Sequence, residues 1–503
     1  MHQIRALMSG LIYKVIAGDI DCEIDSVIYD SRKVVQNSLF VCVKGYISDG
    51  HAYIRQAIAK GAIAVLIQED QSILTNDELL MLAEEEHVLI LAVLDTRKAL
   101  AKASASLYKN PSTEMHMIGV TGTKGKTTTT YMIREIYEQA GKNTGLIGTV
   151  SNIIAGKVCP ASHTTPESND LQQILREMAD GQQEICVMEV SSQGLMLDRV
   201  YGCNFEIAAF TNLYRDHIGT HEHSDMEDYL CAKLKIFDRS EIAVINADCE
   251  VSDRVIEYAT TKCKIFTYGI NTACDVRASH IRKAKVSGKI GSYFYLKTPW
   301  YEGEVFVAMA GNFNIYNALC AIAVTGASGI SFEYIKKGLD HVFVPGRLQA
   351  VHNDNSFSVF VDYAHNAASL ENILLTLREY CTGRLITVFG CGGDRSTTRR
   401  FEQGEISGKY SDLTIITSDN PRSEDPNEII SHIETGIKKT AGKYMIEPDR
   451  RSAIALAFSL ACDDDFVIIA GKGHENYQIF HDRTIHFDDV ETAYELLEEG
   501  KRK

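Results

Sequence analysis

The stretch "VTGTKGKTTTTYM" (residues 120–132) joins a short apolar run, "MHMIGV" (115–120), to a segment with helical spacing. Glycines let backbone N–H groups approach a phosphate, and a helix N-terminus just after them favours negative charge. The strict P-loop pattern G-x-x-x-x-G-K-[ST] needs a glycine five residues before Gly125, and Val120 stands there. What remains is Gly122, Thr123, Lys124, Gly125, Lys126, Thr127 and Thr128. Lys126 is the candidate for the terminal phosphates, and Thr127 offers a hydroxyl to Mg²⁺. A plain Gly-Lys turn would also open a helix, but the strand before the loop and the helix after it favour a nucleotide site. The loop alone fits a kinase, a motor ATPase or a ligase.

Outward from the loop, strand and helix alternate. "NTGLIGTV" (143–150), "EICVMEVS" (184–191), "FEIAAFTN" (205–212) and "EIAVINAD" (241–248) are apolar strands, each followed by helix or loop. That rhythm predicts a parallel sheet covered on both faces. Residues 263–309, with "CKIFTYG", "SYFYLKT" and "EGEVFVAMAG", read as antiparallel strands added to it. Upstream, "SLFVCV" (38–43) and "AYIRQAIAKGA" (52–62) belong to a separate α/β region, and the helix 95–112 ends it at Asn-Pro. Downstream, "VPGR" (344–347) breaks the chain before "FSVFVDYA", "RLITVFG", "LTIITSD" and "DFVIIAG" resume the alternation. The expected fold is α/β in three domains: 1–112, 113–344 and 345–503.

The 503 residues suit several domains, and 45% hydrophobic composition is ordinary for globular cores. A net charge of −16 argues against a nucleic-acid partner, which calls for a basic stripe. Thirteen scattered cysteines without a C-x-x-C pair read as reduced thiols of the cytoplasm. The N-terminal "MHQIRALMSGLIYKVIAG" lacks a signal-peptide pattern, and no apolar run is long enough to span a membrane.

Three further places carry chemistry. "VMEVSSQGL" (187–195) sets Glu189 at the carboxyl end of a buried strand, where ligands gather in open α/β sheets. A carboxylate there could ligate Mg²⁺ or merely cap a helix. "TNLYRDHIGTHEH" (211–223) holds His217, His221 and His223; the spacing fits zinc loosely, but no cysteine lies near and nucleotide-bound Mg²⁺ prefers oxygen. "MEDYLCAKLKIFD" (226–238) is an amphipathic helix with Lys233 among apolar neighbours, where an ordinary lysine would snorkel.

Taken in order, "GTKGKTT", "HTTPESNDLQ", "MEVSSQGL…RV", "FTNLYRDHIG", "AKLKIF", "GNFNIYN", "VPGRLQ", "DYAHN", "FGCGGDR", "SDNPRSEDP" and "AGKGHE" resemble the Mur ligases, most closely the members that add the third amino acid. "DSRKVVQNSLFVCVKGYISDGH" (30–51) extends the resemblance to the first domain. The resemblance implies a nucleotide-sugar-binding N-terminal domain, a central ATPase domain and a Rossmann-like C-terminal domain. It implies a cytoplasmic, monomeric ligase of peptidoglycan precursor synthesis. ATP would phosphorylate the D-glutamyl γ-carboxylate of UDP-N-acetylmuramoyl-L-Ala-D-Glu, and the amine of meso-diaminopimelate would attack the acyl phosphate.

By the same resemblance, Lys126, Glu189, His217 and Lys233 are catalytic. Thr127 and Glu189 support one Mg²⁺, and His217 with a carbamylated Lys233 supports another. Asn317 contacts adenine, and Arg347 and Asp362 hold ATP when the last domain closes. Ser31 matches the uridine motif; Thr164, Thr165, Ser191 and Arg199 match contacts to the muramoyl peptide. Arg395, Asp419, Asn420, Pro421, Arg422, Gly471 and Glu475 match the amine pocket, with Arg422 reading the extra carboxylate of diaminopimelate. The chain departs from the pattern at Gln193, Leu197 and Ala367, and in "RDHIGTHEH". These departures bear on the acceptor peptide and leave the phosphate chemistry intact. Alternatives are a Mur-type ligase using L-lysine or another amine, a folylpolyglutamate synthase, and a catalytically silent nucleotide-binding partner.

Overall fold

The computed structural model describes residues 2–46, 48–219, 222–286, 289–351 and 356–501. They form two compact units: Met1–Ala278 with Leu296–Gly303 and Tyr316–Gly338, and Ser279–Tyr295 with Glu304–Ile315 and Leu339–Lys503.

The first unit contains two main sheets besides the short pair His2–Gln3 with Glu23–Ile24. The N-terminal sheet runs Lys14–Ala17, Leu89–Val93, Ala62–Gln68, Ser38–Val41, Ser26–Ile28, with only the Lys14–Ala17 edge antiparallel. "AYIRQAIAKGA" divides into a 3₁₀ turn, Gly50–Tyr53, and a helix, Ile54–Ala59. The helix Thr96–Leu107 is capped by Asp95, whose carboxylate accepts from Arg97 N and Lys98 N at 3.0 Å each. The two sheets belong to one unit because polar pairs join them: Tyr29 Oη donates to Asp170 (2.6 Å) and Asn169 Nδ2 to Ser104 Oγ (3.1 Å).

In the central sheet, His116–Thr121 lies between Ile185–Glu189 and Phe205–Phe210. Thr144–Ile147 pairs beyond the former, Ser240–Asn246 and then Lys264–Gly269 beyond the latter, all in parallel. "CKIFTYG" is therefore a parallel strand, paired in parallel with Val276–Val286 on its far side as well, and not an antiparallel addition, which corrects the sequence reading. The helix Ser252–Thr260 supplies the crossover that a parallel connection requires. At the other edge, Ser151–Ile154 and Lys157–Pro160 form a hairpin whose turn residues, Ala155 and Gly156, both have positive φ (48° and 77°). Fully buried side chains such as Ile118, Val187, Met188 and Phe210 fill the core. Each contributes about 1.5–3 kcal/mol of apolar burial.

In the second unit a six-stranded sheet runs Gln349–Val351, Ser358–Asp362, Phe466–Ala470, Leu385–Phe389, Leu413–Ile416, Tyr444–Ile446. All neighbours are parallel except the first pair. Among the described residues, no helix is long and apolar enough to cross a membrane.

Candidate functional site

The loop after His116–Thr121 turns on two glycines. Gly122 (φ 141°) and Gly125 (φ 87°) hold backbone that an L side chain resists. A Cβ would fall 2.0 Å from Thr211 Oγ1 at the first and 2.3 Å from Asn317 Oδ1 at the second. The neighbouring strand pins the loop from outside: Thr123 N donates to Asn212 O (2.9 Å), and Lys124 N to Asn212 Oδ1 (2.8 Å). Gly125 is the N-cap of the helix Lys126–Gln139, so the open N–H groups of its first turn lie at the loop, with Thr127 and Thr128 buried there. Asn317 comes from the helix Asn312–Ala327 and accepts from Thr129 Oγ1 at 3.3 Å.

Both lysines expected in catalysis meet at one carbonyl. Lys126 Nζ donates to Gly122 O (2.9 Å) and Thr123 O (3.1 Å), and Lys233 Nζ donates to Gly122 O at 2.8 Å. Lys233 does not snorkel; it is 1% exposed and lies 4.5 Å from the Tyr229 ring centroid. Burial, and then the charge of Lys126, hold its amine well below the usual lysine range, with Asp216 opposing. Tyr229 fixes the corner: its hydroxyl lies 3.1 Å from Thr123 Oγ1, and burial pushes its phenol up to about 12.

Glu189 is 1% exposed at its strand end. It accepts from Thr127 Oγ1 (3.0 Å), Thr149 N (2.9 Å) and Thr149 Oγ1 (3.1 Å), so two oxygens expected on one Mg²⁺ already sit in contact. His217 is exposed beside Glu222 (3.1 Å), with its ring centroid 6.0 Å from that of Tyr229. His223 is buried, 3.2 Å from Asp228, and its Nε2 has no hydrogen-bond partner among the described residues. His221 lies outside the described residues.

The peptide-side candidates continue this network. Thr164 Oγ1 lies 2.9 Å from Thr149 Oγ1. Thr165 Oγ1 donates to Glu189 O (3.0 Å) and accepts from Ser191 N (2.9 Å). Ser191 caps the helix Ser192–Met196, and Arg199 donates to Thr165 O (3.0 Å) and pairs with Glu167 (2.8 Å). Ser31 stands apart in the N-terminal sheet region, where its hydroxyl donates to Gln56 Oε1 at 3.2 Å.

The remaining candidates form a second constellation, in the second unit. Asp362 is buried, accepting from Leu348 N (2.7 Å) and Ala364 N (2.8 Å); burial raises its pKa against the pull of Arg347. The Arg347 guanidinium lies 4.9 Å from the Tyr363 ring centroid. Asp419, also raised by burial against Arg450 and Lys472, accepts from Asn420 N at 2.6 Å. Asn420 Nδ2 donates to Glu475 Oε2 (2.8 Å), and Glu475 follows Gly471 in the loop after Phe466–Ala470. Arg422, after buried Pro421, donates from Nη1 to Gly393 O (2.6 Å), while Arg395 is exposed in the neighbouring loop. His217 and Arg422 both hold left-handed backbone (φ 56° and 54°), at roughly 1–2 kcal/mol for an L residue.

Sequence reasoning missed the groups that brace these sites. Tyr229 and Thr149 carry no motif signal. Arg450, fully buried on Asp489 at 2.7 Å, donates to Ser418 O (3.2 Å) and Ala470 O (3.1 Å) and so ties two segments of this constellation together. Lys472 sits inside the quoted "AGKGHE" yet went unassigned.

Fold and cradle together define a nucleotide-binding α/β enzyme with a second, Rossmann-like α/β unit. Three family models match in sequence order: "Mur ligase family, catalytic domain" over residues 23–108, "Mur ligase middle domain" over 120–325, and "Mur ligase, glutamate ligase domain" over 346–473. The chain belongs to the Mur ligase family. It is 42% identical over 500 residues to a UDP-N-acetylmuramoyl-L-alanyl-D-glutamate–2,6-diaminopimelate ligase of Clostridium perfringens, covering 98% of this chain and 99% of that one. A ligase of the same name from Caldanaerobacter subterraneus is 43% identical, with 99% of each chain covered. A solved structure under that name superimposes with a TM-score of 0.72 at 28% identity, over 100% of this chain and 99% of that one. A folylpolyglutamate synthase of Mycobacterium tuberculosis shares the fold at a TM-score of 0.60 and 19% identity, over 75% of this chain and 92% of that one.

Proposed function

We propose that this chain is the ATP-dependent ligase that joins meso-diaminopimelate to the D-glutamyl γ-carboxylate of UDP-N-acetylmuramoyl-L-Ala-D-Glu in peptidoglycan precursor synthesis. The observation that carries the reading is the likeness, along essentially the whole of both chains, to ligases of that name.

The chemistry asks two anions, a carboxylate and the γ-phosphoryl group, to approach each other. In our reading, the loop N–H groups and Lys126 hold the phosphates and take up charge as it develops. Lys126 exchanges its two carbonyl partners for phosphate oxygens when ATP binds. The carboxylate takes the phosphoryl group; the amine of diaminopimelate then attacks the acyl carbon, loses a proton, and phosphate departs.

The oxygens of Thr127 and Glu189, 3.0 Å apart, suit a hard cation. Bound there, Mg²⁺ would neutralise phosphate charge. An ammonium cannot serve such an ion, but Lys233 is held toward its neutral form, which is the form that reacts with CO₂. Its nitrogen lone pair bonds the carbon of CO₂ and one N–H proton leaves to water, giving an anionic carbamate that retains one N–H for Gly122 O. We assign His217 to the same metal, Asn317 to adenine, Arg347 and Asp362 to ATP, and Ser31 to the uridine end. Thr164, Thr165, Ser191 and Arg199 are assigned to the muramoyl peptide, and Arg395, Asp419, Asn420, Pro421, Arg422, Gly471 and Glu475 to the amine. The domain limits 1–112, 113–344 and 345–503, the cytoplasm as site of action and a monomeric state complete the reading.

Phosphate release from ATP, measured with UDP-N-acetylmuramoyl-L-Ala-D-Glu, should depend on added diaminopimelate. Release driven by lysine and not by diaminopimelate would overturn the amine assignment.

A further inference from the structure

We propose that Lys472 is a positioning residue that fixes the hydrogen-bond polarity of the amine pocket, holding Asn420 as donor and Glu475 as acceptor toward the incoming amino acid. The inference rests on the pocket assignment above and adds to it a residue that touches no substrate. Lys472 is among the largest fully buried side chains of the molecule, at 0% exposure. Its ammonium donates to Tyr477 O (2.5 Å), Glu475 Oε2 (3.1 Å) and Asn420 Oδ1 (3.4 Å), and lies 5.3 Å from the Tyr477 ring centroid. A buried charge is tolerated only when paired and hydrogen-bonded, and here both conditions are met by pocket residues.

The consequence for Asn420 follows from donor–acceptor chemistry. Its Oδ1 faces two groups that can only donate, the Lys472 ammonium and the Ile479 N–H (3.0 Å). The amide therefore cannot flip, and Nδ2 must point to Glu475 Oε2 at 2.8 Å. Nδ2 has two hydrogens and Glu475 takes one, which leaves a donor for a carboxylate. Glu475 spends Oε2 on Lys472 and Asn420; among the described residues no hydrogen bond reaches Oε1, which remains for an ammonium. A donor beside an acceptor matches a zwitterionic amino-acid end in one orientation only. With the lysine removed, Asn420 loses one of the two donors that forbid the flip, and Glu475 loses its cation.

The test is a KM comparison on the full chain with ATP, UDP-N-acetylmuramoyl-L-Ala-D-Glu and diaminopimelate. Lys472→Met is made in the unmodified chain and in one already carrying Asn420→Ala and Glu475→Ala. In the unmodified chain it should raise the KM for diaminopimelate about tenfold to a hundredfold and leave the ATP KM within about twofold. In the doubly substituted chain the same change should move the diaminopimelate KM by less than about twofold, because the groups it orients are gone. Equal effects in both chains, or no effect in the first, would overturn the positioning role. If Asn420→Ala with Glu475→Ala leaves the diaminopimelate KM unchanged, the pocket assignment itself falls, and the proposal with it. Should Lys472→Met not fold, Asn420→Asp keeps the lysine and the shape while replacing the donor with an acceptor. Diaminopimelate binding as tight as in the unmodified chain would then refute the polarity argument.

Discussion

The proposed phosphate cradle and the proposed amine pocket both stand at the carboxyl ends of parallel strands, yet they are held in opposite ways. The cradle is made by backbone: two glycines bend the loop, Asn212 pins it, and its two lysines rest on one carbonyl. The pocket is made by buried charge. Arg450 on Asp489, Lys472 on Asn420 and Arg400 on Glu424 fasten segments that are far apart in sequence. A phosphate presents the same oxygens in every nucleotide, so a local, repeatable loop suffices. An amino acid must be told from its relatives by the position of one charge, and that takes side chains brought together from several elements.

The largest expected effect tests the cradle. Lys126→Ala should lower acyl-phosphate formation by at least about 10²–10³-fold, the scale for losing one preorganised electrostatic partner. Binding of the UDP-linked substrate, measured by calorimetry, should persist. Parallel loss of both, with the fold intact, would break the separation of nucleotide and sugar sites.

Lys233→Ala comes next and tests whether the cradle needs more than backbone. Amide formation should nearly vanish, and excess bicarbonate or a short-chain carboxylate should restore part of it by supplying the missing anion. An alanine variant with full activity would exclude a carbamate at this position.

Arg422→Ala sharpens the pocket side. The KM for diaminopimelate should rise by roughly 10–100-fold, while the ATP KM changes little. The unmodified enzyme should use lysine very poorly, because lysine offers the Arg422 guanidinium no carboxylate to pair with. Equal turnover of the two amines would remove Arg422 as the discriminating residue.

The smallest effect concerns acid stability. Burial, and then Arg347, lower the His474 pKa to about 4, against about 6.5 for a free imidazole. Between these values the unfolded chain binds a proton that the folded one refuses, so folding stability rises with pH across that window. Below about pH 4 the ring is charged in both states and the dependence stops. His474→Gln should flatten this part of a melting-temperature profile from pH 4 to 6.5. An unchanged profile would show that the charge-dense second unit owes its acid sensitivity to other groups.

How much could be read in advance differs between the two regions for the same reason. Gly122 to Thr128 are contiguous, so the cradle could be located from spacing alone, as could Glu189 at the end of an apolar strand. Helical spacing sets Lys233 among apolar neighbours, where an ordinary lysine would snorkel, but it lies wholly buried, because spacing gives a face and not the depth to which that face packs. "CKIFTYG" was misplaced as antiparallel because a short, half-buried strand looks the same whichever way its neighbour runs; only the crossover helix Ser252–Thr260 settles direction. The braces Tyr229, Thr149 and Arg450 gave no signal that local chemistry could raise, and Lys472, though inside "AGKGHE", gave no sign of the contacts it makes.

Apolar periodicity and glycine placement, both properties of neighbouring residues, determined from the sequence the α/β class, the strand–helix alternation around the loop and the nucleotide loop itself. Tertiary structure alone decided that Lys126 and Lys233 share the carbonyl of Gly122, that Thr127 touches Glu189, and that Lys472 reaches Asn420 and Glu475 at once. Each of these arrangements depends on a contact between segments tens to more than a hundred residues apart. Their distances, and the burial that lowers the Lys233 pKa, exist only once sheets and helices have packed.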